Sequence, residues 1–173
     1  ETKGHGLDFS VQTRNLKGKV EWNTDVIISL ARDKVVKYDK KATALNYVDG
    51  GDNSSSGILP LEGRPLLSVY SFRYKGLDSQ MGSPIGYLHG EESQDYTGIV
   101  SNTTPEELIY HGSARPTWFG SARNHLSYKG FSISAMVSYR GGYYFRRSSV
   151  RYGSNMGLSS MHGDYTQRWM KPG

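Results

Sequence analysis

The residues with the clearest potential for binding chemistry form an aromatic and basic stretch near the end of the sequence. Its candidate ligand-binding residues are Tyr143, Tyr144, Arg146, Arg147 and Tyr152. Tyrosine rings stack on sugar faces or on peptide side chains, and an arginine guanidinium binds carboxylates and hydroxyls through its fork of donors. The stretch therefore predicts a substrate-binding loop. The alternative is that it packs against a neighbouring loop or joins a belt of aromatic residues.

The sequence has no pattern typical of a catalytic or metal centre. It contains no cysteine, and it has no nucleophile elbow, phosphate-binding loop or dinucleotide-binding motif. Its five histidines lack the spacing of metal ligands. Glu91 and Glu92 could supply half of a carboxylate pair for glycoside hydrolysis, but nothing fixes the separation that this reaction requires. We therefore expect no enzymatic activity, no cofactor and no metal site.

Positive charge is concentrated in the last third of the chain. Residues 115–173 carry nine basic residues and a single acidic one, Asp164, whereas the whole chain has a net charge of +5. Such a region could bind nucleic acid, anionic lipid or acidic sugar. No zinc finger, recognition helix or RNP-like pattern accompanies the charge, so we expect no nucleic-acid partner.

The composition of the 173 residues argues against two structural classes, a helical bundle and a disordered chain. There are 21 glycines, and aromatic residues make up 12% of the chain. Glycine costs about 1 kcal/mol at each helical position, which argues against a helical bundle. Aromatic residues at this frequency argue against a disordered chain. No run of about 18 consecutive apolar residues occurs, so no transmembrane helix is predicted.

Two parts of the sequence alternate apolar and polar residues with a period of two, which predicts two β-hairpins. The apolar positions of the first hairpin are Leu7, Phe9 and Val11, then, after a tight turn at Gly18, Val20, Trp22, Thr24, Val26, Ile28 and Leu30. Those of the second are Trp118, Gly120, Ala122, Leu126 and Tyr128, then, after a tight turn at Gly130, Phe131, Ile133, Ala135, Val137 and Tyr139.

The length of these strands and the position of their aromatic residues favour a membrane barrel. A bilayer-spanning β-strand needs about nine to eleven residues, whereas strands of soluble proteins have about five or six. The predicted lipid-facing residues are Leu7, Phe9, Val26, Ile28, Ile133 and Val137, and the predicted aromatic girdle is Trp22, Trp118, Tyr128, Phe131 and Tyr139. A soluble β-sandwich, such as a carbohydrate-binding module, also has alternating strands and is the alternative interpretation.

The connections between the predicted strands are of two kinds. The turns at Gly18 and Gly130 are short, whereas residues 33–64, 76–115 and 141–168 form long loops, a contrast typical of outer-membrane barrels. Thr104, Pro105 and Glu107 form a capping box that predicts one short helix. Weaker strands are predicted at Leu66–Tyr74 and from Tyr143. If Leu66–Tyr74 crossed a membrane once, the two tight turns would lie on opposite sides, so this strand is left unassigned.

Several short motifs, in order along most of the chain, resemble the SusC/RagA family of TonB-dependent outer-membrane transporters. They are Gly6-Leu7-Asp8-Phe9, Thr13-Arg14-Asn15, Trp22-Asn23-Thr24, Lys34-Val35-Val36, Gly63-Arg64-Pro65-Leu66, Tyr70 to Asp78, Gly82-Ser83-Pro84, Pro116 to Gly120, Ser127 to Ser134 and Arg168 to Gly173.

The resemblance implies an all-β fold, namely an antiparallel segment of a large transmembrane β-barrel with long extracellular loops, of which residues 1–173 form part. Full chains of the family are several times longer, and no segment here resembles their plug domain or their closing strands. The chain is thus similar to an internal piece from the C-terminal half of such a barrel. The implied function is import of oligosaccharides or peptides across the bacterial outer membrane. The implied partners are a SusD-like surface lipoprotein, the TonB complex acting through the plug region, and the lipid bilayer.

Overall fold

A computed structural model of the protein describes residues 1–40, 42–50, 59–147, 149–150 and 163–172. Its strands, in chain order, are β1 (Thr2–Leu16), β2 (Val20–Val35), β3 (Ser68–Ser71), β4 (Gly76–Leu77), β5 (Pro84–Leu88), β6 (Glu91–Ser93), β7 (Ile109–Ser113), β8 (Trp118–Tyr128) and β9 (Phe131–Gly141). The helices are α1 (Ala44–Gly50), α2 (Tyr96–Asn102) and two 3₁₀ helices, Pro105–Glu107 and Gly163–Gln167. In these segments, every helix is too short or too polar to span a bilayer. The prediction of an all-β, antiparallel fold is confirmed.

The four long strands form one antiparallel sheet in the order β1-β2-β8-β9. Both predicted hairpins are present, and their strands are long: 15 and 16 residues in β1 and β2, and 11 in each of β8 and β9. Over the described residues the sheet is open, since β1 pairs with β2 and β9 pairs with β8 on one side each.

The turn between β8 and β9 is set by two residues with positive φ. Lys129 has φ 49° and Gly130 has φ 82°, and the flanking Tyr128 and Phe131 are paired across the hairpin. Two positive φ angles in a two-residue loop match the right-handed twist of the strands that it joins. The Lys129 ammonium also lies 5.2 Å from the centre of the Tyr128 ring, so the one non-glycine residue of this turn packs on the strand end.

The direct pairing of β2 with β8 leaves no place between the two hairpins for the weaker predicted strand, Leu66–Tyr74. Leu30 pairs with Trp118 and Val20 pairs with Tyr128, so the two hairpins are direct neighbours and both tight turns lie at the same end of the sheet. Of the predicted strand Leu66–Tyr74, Ser68–Ser71 is β3, which pairs with β7 in a separate two-stranded sheet. The expectation of a further strand from Tyr143 is wrong, because β9 ends at Gly141 and residues 142–147 are irregular.

The remaining described elements lie in the connections at the opposite end of the sheet, which we call the loop end. They include the β3-β7 sheet, a three-stranded sheet β4-β5-β6, and α2, which packs Ile99 against Gly86 of β5. A small apolar core lies beside β3 and β7 and consists of Ala44, Tyr47, Tyr70 and Leu108. The long predicted loops therefore contain folded structure over these residues.

The predicted short helix around Thr104 is a 3₁₀ helix at Pro105–Glu107. The Thr104 backbone N–H donates to a carboxylate oxygen of Glu107 at 2.7 Å. This hydrogen bond to the charged form lowers the pKa of Glu107 below its ordinary value. The capping box thus fixes the connection that leads into β7.

Backbone hydrogen bonds join the loop-end elements to the main sheet. The Ala31 N–H donates to the Thr117 carbonyl at 3.0 Å, and the Val35 N–H donates to the Arg64 carbonyl at 2.8 Å. The Leu66 N–H donates to the Asp33 carboxylate at 2.6 Å. The position of the loop-end elements is therefore fixed by the ends of β2 and β8.

Gly120 of β8 allows a contact that spans three strands. The Tyr139 hydroxyl of β9 donates across Gly120 to the Ile27 carbonyl of β2 at 3.2 Å. A Cβ atom on Gly120 would lie 2.0 Å from that carbonyl oxygen and 2.7 Å from the Tyr139 hydroxyl. We expect Gly120→Ala to lower the free energy of unfolding by about 1–3 kcal/mol, because it overpacks the site and displaces the hydroxyl.

Thermal unfolding followed by far-ultraviolet circular dichroism measures this change. Gly4→Ala is the matched control, since a Cβ there meets the Arg32 carbonyl at an ordinary 3.5 Å. Equal unfolding temperatures for the two variants would contradict the assigned role of Gly120.

Candidate functional site

One face of the main sheet is apolar across all four strands. Phe9 pairs with Ile28, Val26 with Ala122, and Ala122 with Val137, and residues paired in register share a face. The six residues predicted to face lipid all lie here. Ile133 and Val137 are 68% and 67% exposed, so no described element covers them. Their contact with lipid remains a prediction.

Aromatic residues lie at both ends of this apolar face. Trp22, Tyr128 and Phe131 lie at the end with the tight turns, and Trp118 and Tyr139 lie at the loop end with ring centres 5.9 Å apart. The 11 residues of β8 span about 33 Å along the strand. With the tilt of about 40° that barrel strands adopt, this length gives an apolar band about 25 Å high, the height of the lipid-facing band of a membrane barrel.

The opposite face of the sheet is mainly polar. One of its rows runs from Gln12 through Asp25 to Arg123, and Arg123 donates to the Asp25 carboxylate through Nε at 3.0 Å and Nη2 at 2.7 Å. Three large, exposed apolar residues interrupt this face: Ile27, Phe119 and Met136. The face combines exposed polar groups with isolated apolar contacts, as a water-filled lumen wall does.

A ladder of polar side chains crosses the apolar face near the tight turns, and no sequence pattern predicts it. The Trp22 indole N–H and the Thr24 hydroxyl both donate to the Asn124 side-chain oxygen, at 3.0 and 2.7 Å. The Asn15 amide donates to Thr24 Oγ1 at 2.6 Å, and the Thr13 hydroxyl donates to the Asn15 oxygen at 3.0 Å. The polar groups therefore satisfy one another, which lowers the cost of placing them in an apolar setting.

A cavity of about 870 Å³ lies where the polar face meets the loop-end elements. Its sheet side is formed by Gly4, Gly6 and Asp8 of β1 with Ser29 and Asp33 of β2. The loop-end side contributes Tyr110, Arg115 and Tyr144, and Phe119 lies between the two. A volume of this size suits a small organic ligand or a few residues of a polymer.

The side chains of this cavity suit a polar ligand with flat faces. The Tyr110 and Tyr144 rings offer surfaces for stacking, and the Arg115 guanidinium offers several donors. Within the described segments, the Asp8 carboxylate and the Arg115 guanidinium make no hydrogen bond or ion pair to another side chain, so both retain their capacity to bind. The Asp33 carboxylate already accepts the Leu66 N–H. The arrangement can bind and orient a ligand.

The wall that carries Tyr110 is stiffened by aromatic packing. The Tyr110 and Tyr70 rings are 5.8 Å apart, the Tyr70 and Tyr47 rings are 5.9 Å apart, and the Arg64 guanidinium stacks 4.4 Å from the centre of the Tyr110 ring. Burial raises the pKa of Tyr70, so its hydroxyl stays protonated at physiological pH. The tyrosines behind this part of the cavity wall are therefore packed together, and Tyr70 among them is uncharged.

The aromatic and basic stretch is divided by the structure. Tyr144 lines the cavity, its ring packs over Gly112, and its N–H donates to the Ser113 carbonyl at 2.8 Å. The Tyr143 ring lies 6.4 Å from that of Phe145 and 5.9 Å from the Arg140 guanidinium.

The two arginines of this stretch have partners within the protein. Arg146 donates to the Tyr70 carbonyl at 2.9 Å, and Arg147 binds the Asp164 carboxylate through both terminal nitrogens, at 3.2 and 2.5 Å. Tyr152 lies outside the described residues. Ligand contact by these residues remains a prediction, and among the described members of the stretch Tyr144 reaches the cavity.

Asp8, Tyr110, Arg115 and Phe119 were not identified as site residues from the sequence. They come from β1, β7, the connection before β8, and β8 itself, and no local pattern indicates that they meet at one site. The period-two pattern places Asp8 on the polar face but says nothing of the distant loop that closes over it. Among the described residues, no group of three or more histidine, aspartate or glutamate side chains is arranged to hold a metal ion.

Comparison with solved structures shows a likeness in fold. A chain of the RagAB peptide transporter superposes on this chain with a TM-score of 0.59 and 19% sequence identity, covering 82% of this chain. The match spans 15% of the transporter chain. No family profile matches the sequence, and no curated protein does. At this identity the likeness concerns the fold, an antiparallel β architecture that a peptide transporter also contains.

The contribution of the polar ladder to stability can be tested by substitution. Asn124→Ala removes the acceptor of both Trp22 and Thr24, leaving two donors unpaired on an apolar face. We expect a loss of about 1–3 kcal/mol in the free energy of unfolding, measured by denaturant titration.

Ser127→Ala on the same strand is the matched control, because the Ser127 hydroxyl makes no side-chain hydrogen bond within the described segments. A loss as large in the control as in Asn124→Ala would show that the ladder contributes nothing particular.

Proposed function

We propose that this chain forms part of the wall of a TonB-dependent transporter in the bacterial outer membrane, of the SusC/RagA type. The observation that carries the proposal is the apolar face, which extends over four long strands, ends in aromatic residues and is left uncovered by every described element. The fold likeness to a chain of the RagAB peptide transporter supports the same assignment.

The physics of a bilayer explains why such a sheet belongs to a larger barrel. In lipid, every backbone N–H and C=O group must find a partner within the protein, so a sheet must close on itself. Each edge strand, β1 and β9, has one unpaired side among the described residues. Further strands on both sides would satisfy these groups, as in a barrel of about 22 strands.

The arrangement of the ends supports an orientation in the membrane. Both tight turns lie at one end, and the two small sheets, α1 and α2 lie beyond the other. Outer-membrane barrels have short periplasmic turns and long extracellular loops. In this proposal the loop end is extracellular, where a SusD-like lipoprotein would contact it, and the TonB complex would act from the periplasmic side through a plug domain.

The cavity supplies the proposed contact with cargo. It opens on the polar face, which becomes the lumen wall in a barrel, directly below the loop-end elements. Tyr110, Tyr144 and Arg115 would contact an oligosaccharide or peptide on its way through the lumen. The role is one of binding and passage, without a catalytic residue or a cofactor.

The soluble β-sandwich is not supported. A sandwich buries the apolar face of one sheet against a second sheet, about 10 Å away. Ile28, Ile133 and Val137 are 41%, 68% and 67% exposed, and the β3-β7 and β4-β5-β6 sheets do not cover them.

A charge placed on either face separates a membrane wall from a soluble sheet. Ile28→Arg and Val137→Arg should each lower the free energy of unfolding in phospholipid vesicles by about 2–4 kcal/mol, because the guanidinium would sit near the bilayer midplane. Ser134→Arg, on the polar face three residues from Val137, should have a small effect because its side chain meets water. Urea titration of the reconstituted protein measures all three. Equal tolerance at the three positions would refute a lipid-facing wall.

A further inference from the structure

Four basic side chains project from the apolar side of the sheet just beyond its last apolar row. Lys3 pairs with Lys34 and His5 pairs with Arg32, in a register that runs without interruption from Thr2 to Arg14. Leu7 and Leu30 form the next pair toward the sheet centre on the same face. We call Lys3, His5, Arg32 and Lys34 the basic quartet.

The quartet places like charges directly opposite each other. Side chains of directly paired residues have Cβ atoms about 4.5–5.5 Å apart, and like charges in such pairs are destabilising. Lys34 opposite Lys3 is therefore an unfavourable pair. An anion between the two strands would reverse the sign of this interaction.

Little within the described part of the protein neutralises the quartet. Glu1 lies 3.9 Å from the Lys3 ammonium, and both side chains are mostly exposed, at 60% and 73%, so solvent screens the pair. Asp33, although next to Arg32 and Lys34 in sequence, lies on the opposite face and accepts the Leu66 N–H. The positive charge thus belongs to one face of the β1–β2 hairpin.

The quartet lies at the depth of lipid headgroups if the apolar face spans a bilayer. Each step of two residues advances about 6.6 Å along a strand, or about 5 Å along the membrane normal at a tilt of about 40°. His5 and Arg32 are one step beyond Leu7 and Leu30, and Lys3 and Lys34 are two steps beyond. The headgroup layer is about 5–8 Å thick on each side, and lysine stems are long enough to reach into it.

We propose that the basic quartet binds the phosphate groups of anionic lipids in the leaflet that surrounds the loop end. The Arg32 guanidinium can grip a phosphate through two donors, and Lys3 and Lys34 supply point charges on either side of it. Trp118, at the loop end of the apolar face, would pack beside the acyl chains of the same lipid. The inference rests on the proposed membrane location and adds a lipid class and a binding site to it.

The opposite end of the same hairpin provides a matched comparison. Lys17 and Lys19 lie in the tight turn between β1 and β2, close to the apolar face but without a second cationic pair across the strands. A double variant there removes the same charge from the same hairpin as a double variant in the quartet.

The test uses the detergent-extracted protein in its full natural form, with diphosphoryl lipid A as the probe and its dephosphorylated form as the matched lipid. Retention of each lipid through detergent exchange is counted by native mass spectrometry for wild type, Arg32→Gln/Lys34→Gln and Lys17→Gln/Lys19→Gln. We expect wild type and K17Q/K19Q to retain diphosphoryl lipid A. We expect R32Q/K34Q to retain at least about tenfold less of it. Inorganic phosphate at the same phosphate concentration should not displace the lipid, which distinguishes a lipid headgroup from free phosphate.

The inference is overturned if R32Q/K34Q retains as much lipid as wild type, or if both double variants lose it equally. A separate experiment measures whether urea washes the wild-type protein out of its membranes or leaves it bound. Resistance together with no phosphate-dependent retention rejects the quartet as a lipid site and leaves the transporter proposal in place. Release of the wild-type protein by urea rejects the membrane location, and the inference with it. Unchanged thermal unfolding of R32Q/K34Q shows that its result does not come from misfolding.

Discussion

The register of β1, β2, β8 and β9, which shifts once between Arg14 and Leu16, is the constraint on which the rest of the structure depends. Because side chains alternate between faces, a slip of one residue between any two strands would move apolar residues onto the polar face. Register holds Phe9, Ile28 and Gly120 in one row, and it also places Tyr139 where its hydroxyl reaches β2. The apolar face, the cavity floor and the basic quartet are three consequences of the same alignment.

The loop-end elements are organised by the ends of the long strands. Backbone hydrogen bonds from Ala31 and Val35 attach the flanking segments to the sheet, and the Tyr47–Tyr70–Tyr110 cluster gives those segments a small core of their own. This core is small relative to the length of the loop-end segments that pack around it. The cavity lies between these two parts, so its shape depends on both the strand ends and the aromatic cluster.

Local pattern was enough to predict the two hairpins, their faces and the aromatic ends, because a period of two is readable within ten residues. The β2–β8 pairing could not be read in this way, since more than 80 residues separate the strands in sequence. For the same reason the sequence did not show that Arg147 binds Asp164, that Ser68–Ser71 belongs to a separate sheet, or that Arg115 reaches the cavity. Residue type indicated a capacity for binding, and only tertiary contacts showed which side chains were already engaged.

Collision accessibility of spin labels along β8 and β9 tests the central claim most directly, namely that hydrocarbon covers one face of this sheet and water the other. These 173 residues contain no cysteine, so single cysteines can be introduced one at a time from position 118 to position 139 and labelled in reconstituted bilayers. We predict that oxygen accessibility peaks at Ala122, Leu126, Ile133 and Val137, and that accessibility to a polar nickel chelate peaks at the residues between them. High nickel accessibility at every position, with no period of two, would contradict the account.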